Sequence, residues 1–403
     1  MALAAYWFVL GGITQLAVFY VWCALFCSLA GIGVLVVLTA ARGLHVTRDM
    51  PHVATEDDRV EVRLRLRNAS WLPKSFLHLR DRFQAGGPGE TSQYSLIGRL
   101  LPGQTVAWRY RATCYKRGEY FIGPADITAH DPVGLFTARV QFPGRQRLVV
   151  YPRTFPIRQF PWMLSGRTPR FGLEAGRLGG GDVGDFYGIR EYRSGDSLQR
   201  VHWRSSARLA KLVVKQFEKS AVGEVTLVLD VMRGHDIGSG KETTLEYAVK
   251  IIASCAQYLI GQQALVQLVC YGQTDHSVPF GRGREHLHRL METLAVAEAD
   301  GLVSLGQVLR TVEPVIPQGS MCLVCLLNND LEAIGSLLQL RLKGVTPIVF
   351  AIDAATFSTG PRWERGRALA PQEIRQVLTS PEARAFRIRR GEDLELQFTQ
   401  HVR

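Results

Sequence analysis

From Met1 to Ala41 the chain contains no Asp, Glu, Lys or Arg, and the first charge is Arg42. No soluble helix requires so long an uncharged run, whereas a membrane-spanning helix takes about 20 apolar residues. Cysteine is scarce and irregular: Cys23, Cys27, Cys114, Cys255, Cys270, Cys322 and Cys325 form an odd set without repeating spacing. That argues against a disulfide framework and fits a reducing compartment. A long Lys/Arg run or basic tail is also missing, although the formal net charge is +12. The basic residues are scattered through segments patterned for folding, so nucleic acid is a disfavoured partner. No Gly-x-Ser-x-Gly elbow occurs, and no Gly-Lys-Ser/Thr follows the glycines at 179, 180 and 181. The sequence signals of a serine hydrolase and of a phosphate-binding loop are therefore absent.

What is present divides the 403 residues into four parts and predicts a multi-domain protein. Residues 1–41 read as a transmembrane anchor. The stretch is too long for one upright span, which favours a tight hairpin with helices near residues 3–20 and 22–41. The aromatic clusters Tyr6, Trp7, Phe8 and Phe19, Tyr20, Trp22 would then mark the two interfaces. One long tilted helix over residues 16–40 is the alternative, and an n-region without Lys or Arg disfavours a cleaved signal peptide. Arg42, Arg48, Arg59, Arg63, Arg65 and Arg67 follow the last apolar residues. The positive-inside bias places the remainder in the cytoplasm, against the cell (inner) membrane.

Residues 42–151 carry short β-prone runs. Residues 60–67, Val-Glu-Val-Arg-Leu-Arg-Leu-Arg, alternate in strict period two, as a half-buried strand does. Further runs at 76–83, 93–97, 105–113, 119–128 and 146–151 predict a small antiparallel β-sandwich. His52, His78 and His130 are far apart in sequence and read as surface or hydrogen-bonded histidines. Residues 152–220 form an irregular Pro-, Gly- and Arg-rich linker that ends in a charge-dense cassette. From residue 221 to 403, apolar runs alternate with helical patterns: strands at 225–230, 265–271, 321–327 and 345–352, helices at 242–261, 285–296, 304–312 and 331–343, and beyond 353 either an exposed tail or a last strand near 386–388. That order predicts an α/β domain on a parallel sheet.

The cassette carries the most specific signal. Arg190, Tyr192, Gly195-Asp196, Arg200, His202-Trp203, Ser206-Ala207-Arg208, Leu212 and Val214-Lys215 resemble the signature of the domain of unknown function 58 family. Upstream, Arg117-Gly118-Glu119-Tyr120, Gly123-Pro124, the run from Asp131 to Phe136 and Val150-Tyr151-Pro152 resemble the same family's pattern. The resemblance covers residues 42–354, with Val133 and His202 departing from the Phe and the acidic residue expected there. It implies a C-terminal domain of von Willebrand factor A type. It also implies cooperation with a MoxR-type AAA+ ATPase acting on client proteins at the membrane.

Physically, Asp196 is placed to cap a short helix carrying Arg200, Trp203, Arg204 and Arg208. Arg200, Arg204 and Arg208 are four apart and share one face. With Arg190, Tyr192, His202 and Lys215 they form either a clamp between domains or an anchor for an acidic partner, in which guanidinium forks meet carboxylates beside Trp203. Binding of anionic lipid or nucleic acid through the same basic cassette is a further alternative.

Asp230 ends the first strand of the α/β domain and is the candidate metal ligand. A von Willebrand factor A domain holds Mg²⁺ with Asp-x-Ser-x-Ser, because a hard cation requires oxygen ligands. Here the sequence is Asp230-Val231-Met232-Arg233-Gly234. Both serines are missing, so no cofactor and no enzymatic activity are expected. The enzymatic alternative would use metal-assisted chemistry at Asp230 or a redox pair at Cys322 and Cys325. The latter is disfavoured because residues three apart on a strand point to opposite faces.

Overall fold

The computed structural model describes residues 2–40, 42–131, 134, 136–157, 186–192, 201–217, 223–328, 330–358 and 384–400. Two compact units emerge: Met1–Arg153 with Leu294–Val296, and Thr154–Thr293 with Ala297–Arg403.

The first unit begins with helix α1 (Ala2–Thr14) and helix α2 (Ala17–Ala40), which fold back on each other. The reversal falls at Gln15, in left-handed backbone at φ 56°, earlier than the expected turn near residue 21. Residues 7–8 and 19–20 then lie at similar distances from the turn. Trp7 stacks on Phe19 with centroids 5.5 Å apart, and Phe8 meets Tyr20 edge-on at 5.8 Å. The aromatic clusters therefore join the two helices to each other instead of marking two separate interfaces. Helix α1 has 13 residues and is about 20 Å long at 1.5 Å per residue, short of a hydrocarbon core of about 30 Å. Helix α2 has 24 residues and is long and apolar enough to cross a membrane.

Ten strands follow: β1 (Leu44–Asp49), β2 (Val53–Thr55), β3 (Arg59–Asn68), β4 (Lys74–Arg82), β5 (Ser92–Leu100), β6 (Thr105–Thr113), β7 (Gly118–Ile122), β8 (Ala125–His130), β9 (Thr137–Phe142) and β10 (Gln146–Tyr151). They form sheets ordered β1-β3-β6, β2-β10-β7 and β5-β4-β8-β9. The alternation in β3 does what its period requires: Val60, Val62, Leu64 and Leu66 are buried, and the arginines between them are exposed. Val62 and Leu64 share a core with Ile122 and Leu148, and Leu66 packs with Leu77, Leu79 and Ile127.

Two expectations are corrected. The run 119–128 is split at Gly123-Pro124, where Gly123 takes φ 103°, and its halves join different sheets. In addition, β10 pairs parallel with β2, so the β-rich unit is not wholly antiparallel. A buried polar knot ties its strands together. Asp81 is fully buried, ion-pairs with Arg48 and accepts from the Tyr110 hydroxyl at 2.7 Å. Arg48 also donates to the carbonyls of Ile122 and Gly144, each at 3.0 Å. Burial first and the Asp81 charge second push the Tyr110 phenol far above its ordinary range, which keeps it a donor.

The far end of α2 lies against this unit. Gly33, Val37 and Ala40 are buried, and a Cβ at Gly33 would stand 3.0 Å from the Phe136 ring and 3.3 Å from the Asp131 carboxylate. The Lys74 ammonium donates to the Thr39 carbonyl, one of the helix-end acceptors that no intrahelical donor reaches.

The second unit contains β11 (Phe186–Glu191), α3 (Trp203–Leu209), β12 (Val213–Phe217), β13 (Glu224–Leu229), β14 (Gly238–Ser239), β15 (Glu242–Thr243), α4 (Thr244–Gly261), β16 (Leu265–Val269), β17 (Val278–Gly281), all but the last three residues of α5 (Gly283–Val296), α6 (Leu305–Val312), β18 (Met321–Leu326), α7 (Leu331–Leu342), β19 (Thr346–Ile352), β20 (Arg384–Ile388) and α8 (Leu394–Gln400). Its main sheet has the order β17-β16-β13-β18-β19-β20. All neighbours pair parallel except the edge strand β17. Strands buried on both faces read as continuous apolar runs, which is why β13, β18 and β19 were legible. On one face, Leu309 of α6 and Ile334 of α7 pack with Val228 and Val324. The chain moves from β13 to β16 on one side and to β18 on the other. In such sheets the crevice beyond the carboxyl ends, where the order reverses, is where ligands bind.

Candidate functional site

Asp230 follows β13 at that crevice and is 2 % exposed. Its Oδ1 accepts from the Met232 N–H at 3.0 Å, and its Oδ2 meets His235 Nδ1 at 2.8 Å. The hydrogen bond to Asp230 raises the His235 imidazole above its ordinary range. Burial opposes the shift, and the Asp230 and Asp330 charges add to it. The loop is pinned from the other side: Arg233 N–H donates to the Gly301 carbonyl, and Gly301 N–H donates to Val231, both at 2.8 Å. A Cβ at Gly301 would stand 2.8 Å from the Tyr271 carbonyl oxygen, so the close approach requires glycine there.

The neighbouring carboxylates are engaged elsewhere. Asp330 caps α7 by accepting from Ala333 N–H at 3.1 Å, and its other oxygen takes Gly306 N–H at 3.1 Å. Asp353 holds Arg387 at 2.5 Å. Ser304 caps α6 and donates to Glu332 at 2.8 Å. Among the described residues no three His, Cys, Asp or Glu side chains converge as a metal site would need. Sequence reasoning missed His235, because it followed the motif only to Gly234. The signal available was a histidine five residues after the buried aspartate.

Cys322 and Cys325 are both fully buried on β18. Cys322 belongs to the core formed with α6 and α7, whereas Cys325 Sγ approaches the Ala248 carbonyl of α4 at 3.9 Å. They point to opposite faces, and burial pushes the Cys322 thiol up to about 12. Burial, with Asp230 adding to it, lifts Cys325 further. A thiolate, the reactive form, is disfavoured at both.

The cassette folds as a two-stranded ribbon with one short helix. Strands β11 and β12 pair antiparallel, with Arg190 opposite Val214 and Lys215 opposite Ile189. Tyr192 N–H donates to Leu212 at 2.8 Å, and His202 N–H donates to Val213 at 2.9 Å. Helix α3 starts at Trp203. Its cap is His202, whose Nδ1 accepts from Ser205 N–H at 3.1 Å, and not Asp196 as expected. Asp196 and Arg200 lie outside the described residues. Ser206 is buried beneath the helix and accepts from the Val213 N–H at 3.0 Å, locking α3 to β12. Ser206→Ala strands that amide, and the expected cost is about 1–3 kcal/mol, read as lost hydrogen-exchange protection at Val213.

The outer side of α3 is different. Trp203 is 65 % exposed, Leu209 is 52 % and Leu212 is 46 %. Arg204 and Arg208, one helical turn apart, are also exposed, and among the described residues neither has an ion pair. Within this ribbon Lys211 ion-pairs with Glu191 at 2.8 Å.

Comparison with known proteins reaches the same region. The profile of the family described as "Protein of unknown function DUF58" matches residues 188–330. That is narrower than the span over which the sequence resembles it. The "Uncharacterized protein YeaD" of Bacillus subtilis (strain 168) is 22% identical over 285 residues, covering 68% of each chain. Among solved structures, the CARDB domain of a Pyrococcus furiosus protein is 16% identical with a TM-score of 0.21, over 27% of this chain and 86% of that one. Proximal thread matrix protein 1 from the mussel byssus is 12% identical with a TM-score of 0.32, over 45% and 47%. Neither structural likeness is close enough to carry a function across. The family match begins in β11 and ends at the aspartate that caps α7, so it takes in both the cassette and the Asp230 loop.

Proposed function

We propose that this protein is a membrane-anchored, non-catalytic docking protein, whose α3 face recruits a MoxR-type AAA+ ATPase to client proteins at the inner membrane. The anchor in this reading is α2, and the arginines from Arg42 to Arg67 hold the soluble units on the cytoplasmic side. The α/β unit is a von Willebrand factor A-type domain without its ion. Both Asp230 oxygens are engaged, and the His235 imidazole, raised above its ordinary range by that contact, stands against the carboxylate. That donor set does not fit Mg²⁺, which needs several oxygen ligands. Asp230 is accordingly a structural group here.

The observation that carries the reading is Trp203, exposed beside Arg204 and Arg208 on a helix locked from behind by Ser206. Trp and Arg are the residue types that dominate binding energy at protein interfaces. A rigid support lowers the ordering cost of binding. The test is a photo-crosslinking amino acid at position 203 in growing cells. The expected result is one dominant adduct containing an AAA+ ATPase. No protein adduct from a well-folded, membrane-located chain would defeat the proposal.

A further inference from the structure

The four-stranded sheet β5-β4-β8-β9 buries Leu77, Leu79, Ile127 and Ala129 on its inner face. Its outer face is open, and strand register assembles there what the sequence keeps apart. Arg80 lies opposite Tyr94, and His78 lies opposite Leu96 and Thr128. Thr128 in turn faces Arg139. These side chains line a cleft of about 450 Å³ that His130 also borders.

The chemistry of this cleft is one-sided. His78 and His130 bring their ring centroids within 4.7 Å, nearly perpendicular at 70°, and among the described residues neither ring has a hydrogen-bond partner. Arg80 donates to Ser92 Oγ at 3.2 and 3.0 Å and sits 5.6 Å over the Tyr94 ring. No carboxylate among the described residues pairs with it. The one acid lining the cleft, Asp126, is 2 % exposed. It is already engaged by Arg139 at 2.7 Å, Arg82 at 3.3 Å and Gln141 at 3.2 Å. The Arg80 guanidinium, whose acceptor here is a neutral hydroxyl, therefore converges with two imidazoles that have no acceptor among the described residues, an arrangement that suits an oxyanion with several acceptor oxygens. Beside them Tyr94 is 69 % and Leu96 61 % exposed, an apolar wall for whatever carries the anion.

Position selects the source. His130 directly precedes Asp131, whose carboxylate lies against Gly33 of α2, and Lys74, at the same end of β4, holds the last turn of α2. The cleft thus opens on the sheet that receives the membrane helix. We propose that this outer face binds the phosphate of an anionic membrane lipid, with Arg80, His78 and His130 as donors and Leu96 and Tyr94 against the glycerol and upper acyl chain. The site is separate from the α3 face and rests on the membrane reading of α2.

The test uses the full chain in neutral detergent, titrated calorimetrically with short-chain phosphatidylglycerol, short-chain phosphatidylcholine and inorganic phosphate. Arg80→Gln with His78→Gln leaves the Asp126 network intact and keeps an amide near Ser92. The expected result is binding of phosphatidylglycerol in preference to phosphatidylcholine, weakened at least about tenfold in the double variant, the loss of one or two charge-assisted hydrogen bonds. Trp203→Ala should bind like wild type. Equal binding by wild type and the double variant overturns the site. Inorganic phosphate binding as tightly as the lipid overturns the lipid as its source. Alkaline extraction of membranes separates the two readings: a wild-type chain that stays in the membrane yet ignores the lipid refutes this site alone. Release of the wild-type chain refutes the membrane anchor and this proposal with it.

Discussion

Asp230→Ala should destabilise the α/β unit by about 3–5 kcal/mol, the cost of breaking a buried charge pair from one side. The carboxylate is 2 % exposed, and its loss strands both the His235 imidazole and the Met232 amide. His235→Ala strands the carboxylate instead, and a double variant should cost clearly less than the sum of the two, because both single changes break the same pair. The pH dependence has a definite sign. His235 is raised from 6.5 in the folded chain, so its charged form is bound more tightly in the folded state. The stabilisation is complete below the unfolded value and is lost as pH rises through the folded one. Thermal scans should therefore show the gap between wild type and His235→Ala narrowing from mildly acidic to alkaline pH. Millimolar Mg²⁺ should leave the wild-type transition where it is, since a ligand of the native state would raise it. A magnesium-dependent increase abolished by Asp230→Ala would restore the metal site.

How much of this was legible depended on whether the information was local. The β3 strand could be read from its own residues, because alternation is a property of eight adjacent positions and the structure extends it only to Arg59–Asn68. The buried parallel strands β13, β18 and β19 were legible as continuous apolar runs, again a property of adjacent residues. Strand β2 has three residues and no period to read, and its pairing comes from β10, far away in the chain, whereas the alternation of Ala138, Val140 and Phe142 in β9, which pairs with the preceding strand β8, was present in the sequence and went unread. The hairpin was recognisable in outline, but its turn was misplaced. The residues on either side of it are almost all apolar, so periodicity is silent, and the informative feature was the adjacent polar pair Thr14 and Gln15. His78 and His130 are the clearest limit: 52 positions separate them, and only the β4–β8 pairing brings their rings together. In the cassette, the helix and the shared face of Arg204 and Arg208 followed from spacing. The cap fell to His202 because the helix starts at Trp203, later than a cap at Asp196 requires.

The energetics expected of a docking face on α3 are specific. If Trp203 and Arg204 are interface anchors, each truncation removes about 2 kcal/mol or more of binding free energy. Both side chains are exposed in the chain by itself, so neither should contribute much to folding. Ser206→Ala has the opposite profile, with a stability loss and an indirect effect on binding through a loosened α3. The most direct measurement is a binding titration of a purified MoxR-type ATPase against the full chain in nanodiscs, comparing wild type with Trp203→Ala plus Arg204→Ala. The expected result is a Kd raised roughly 100-fold or more with an unchanged melting transition. An unaltered Kd in the folded double variant would contradict it.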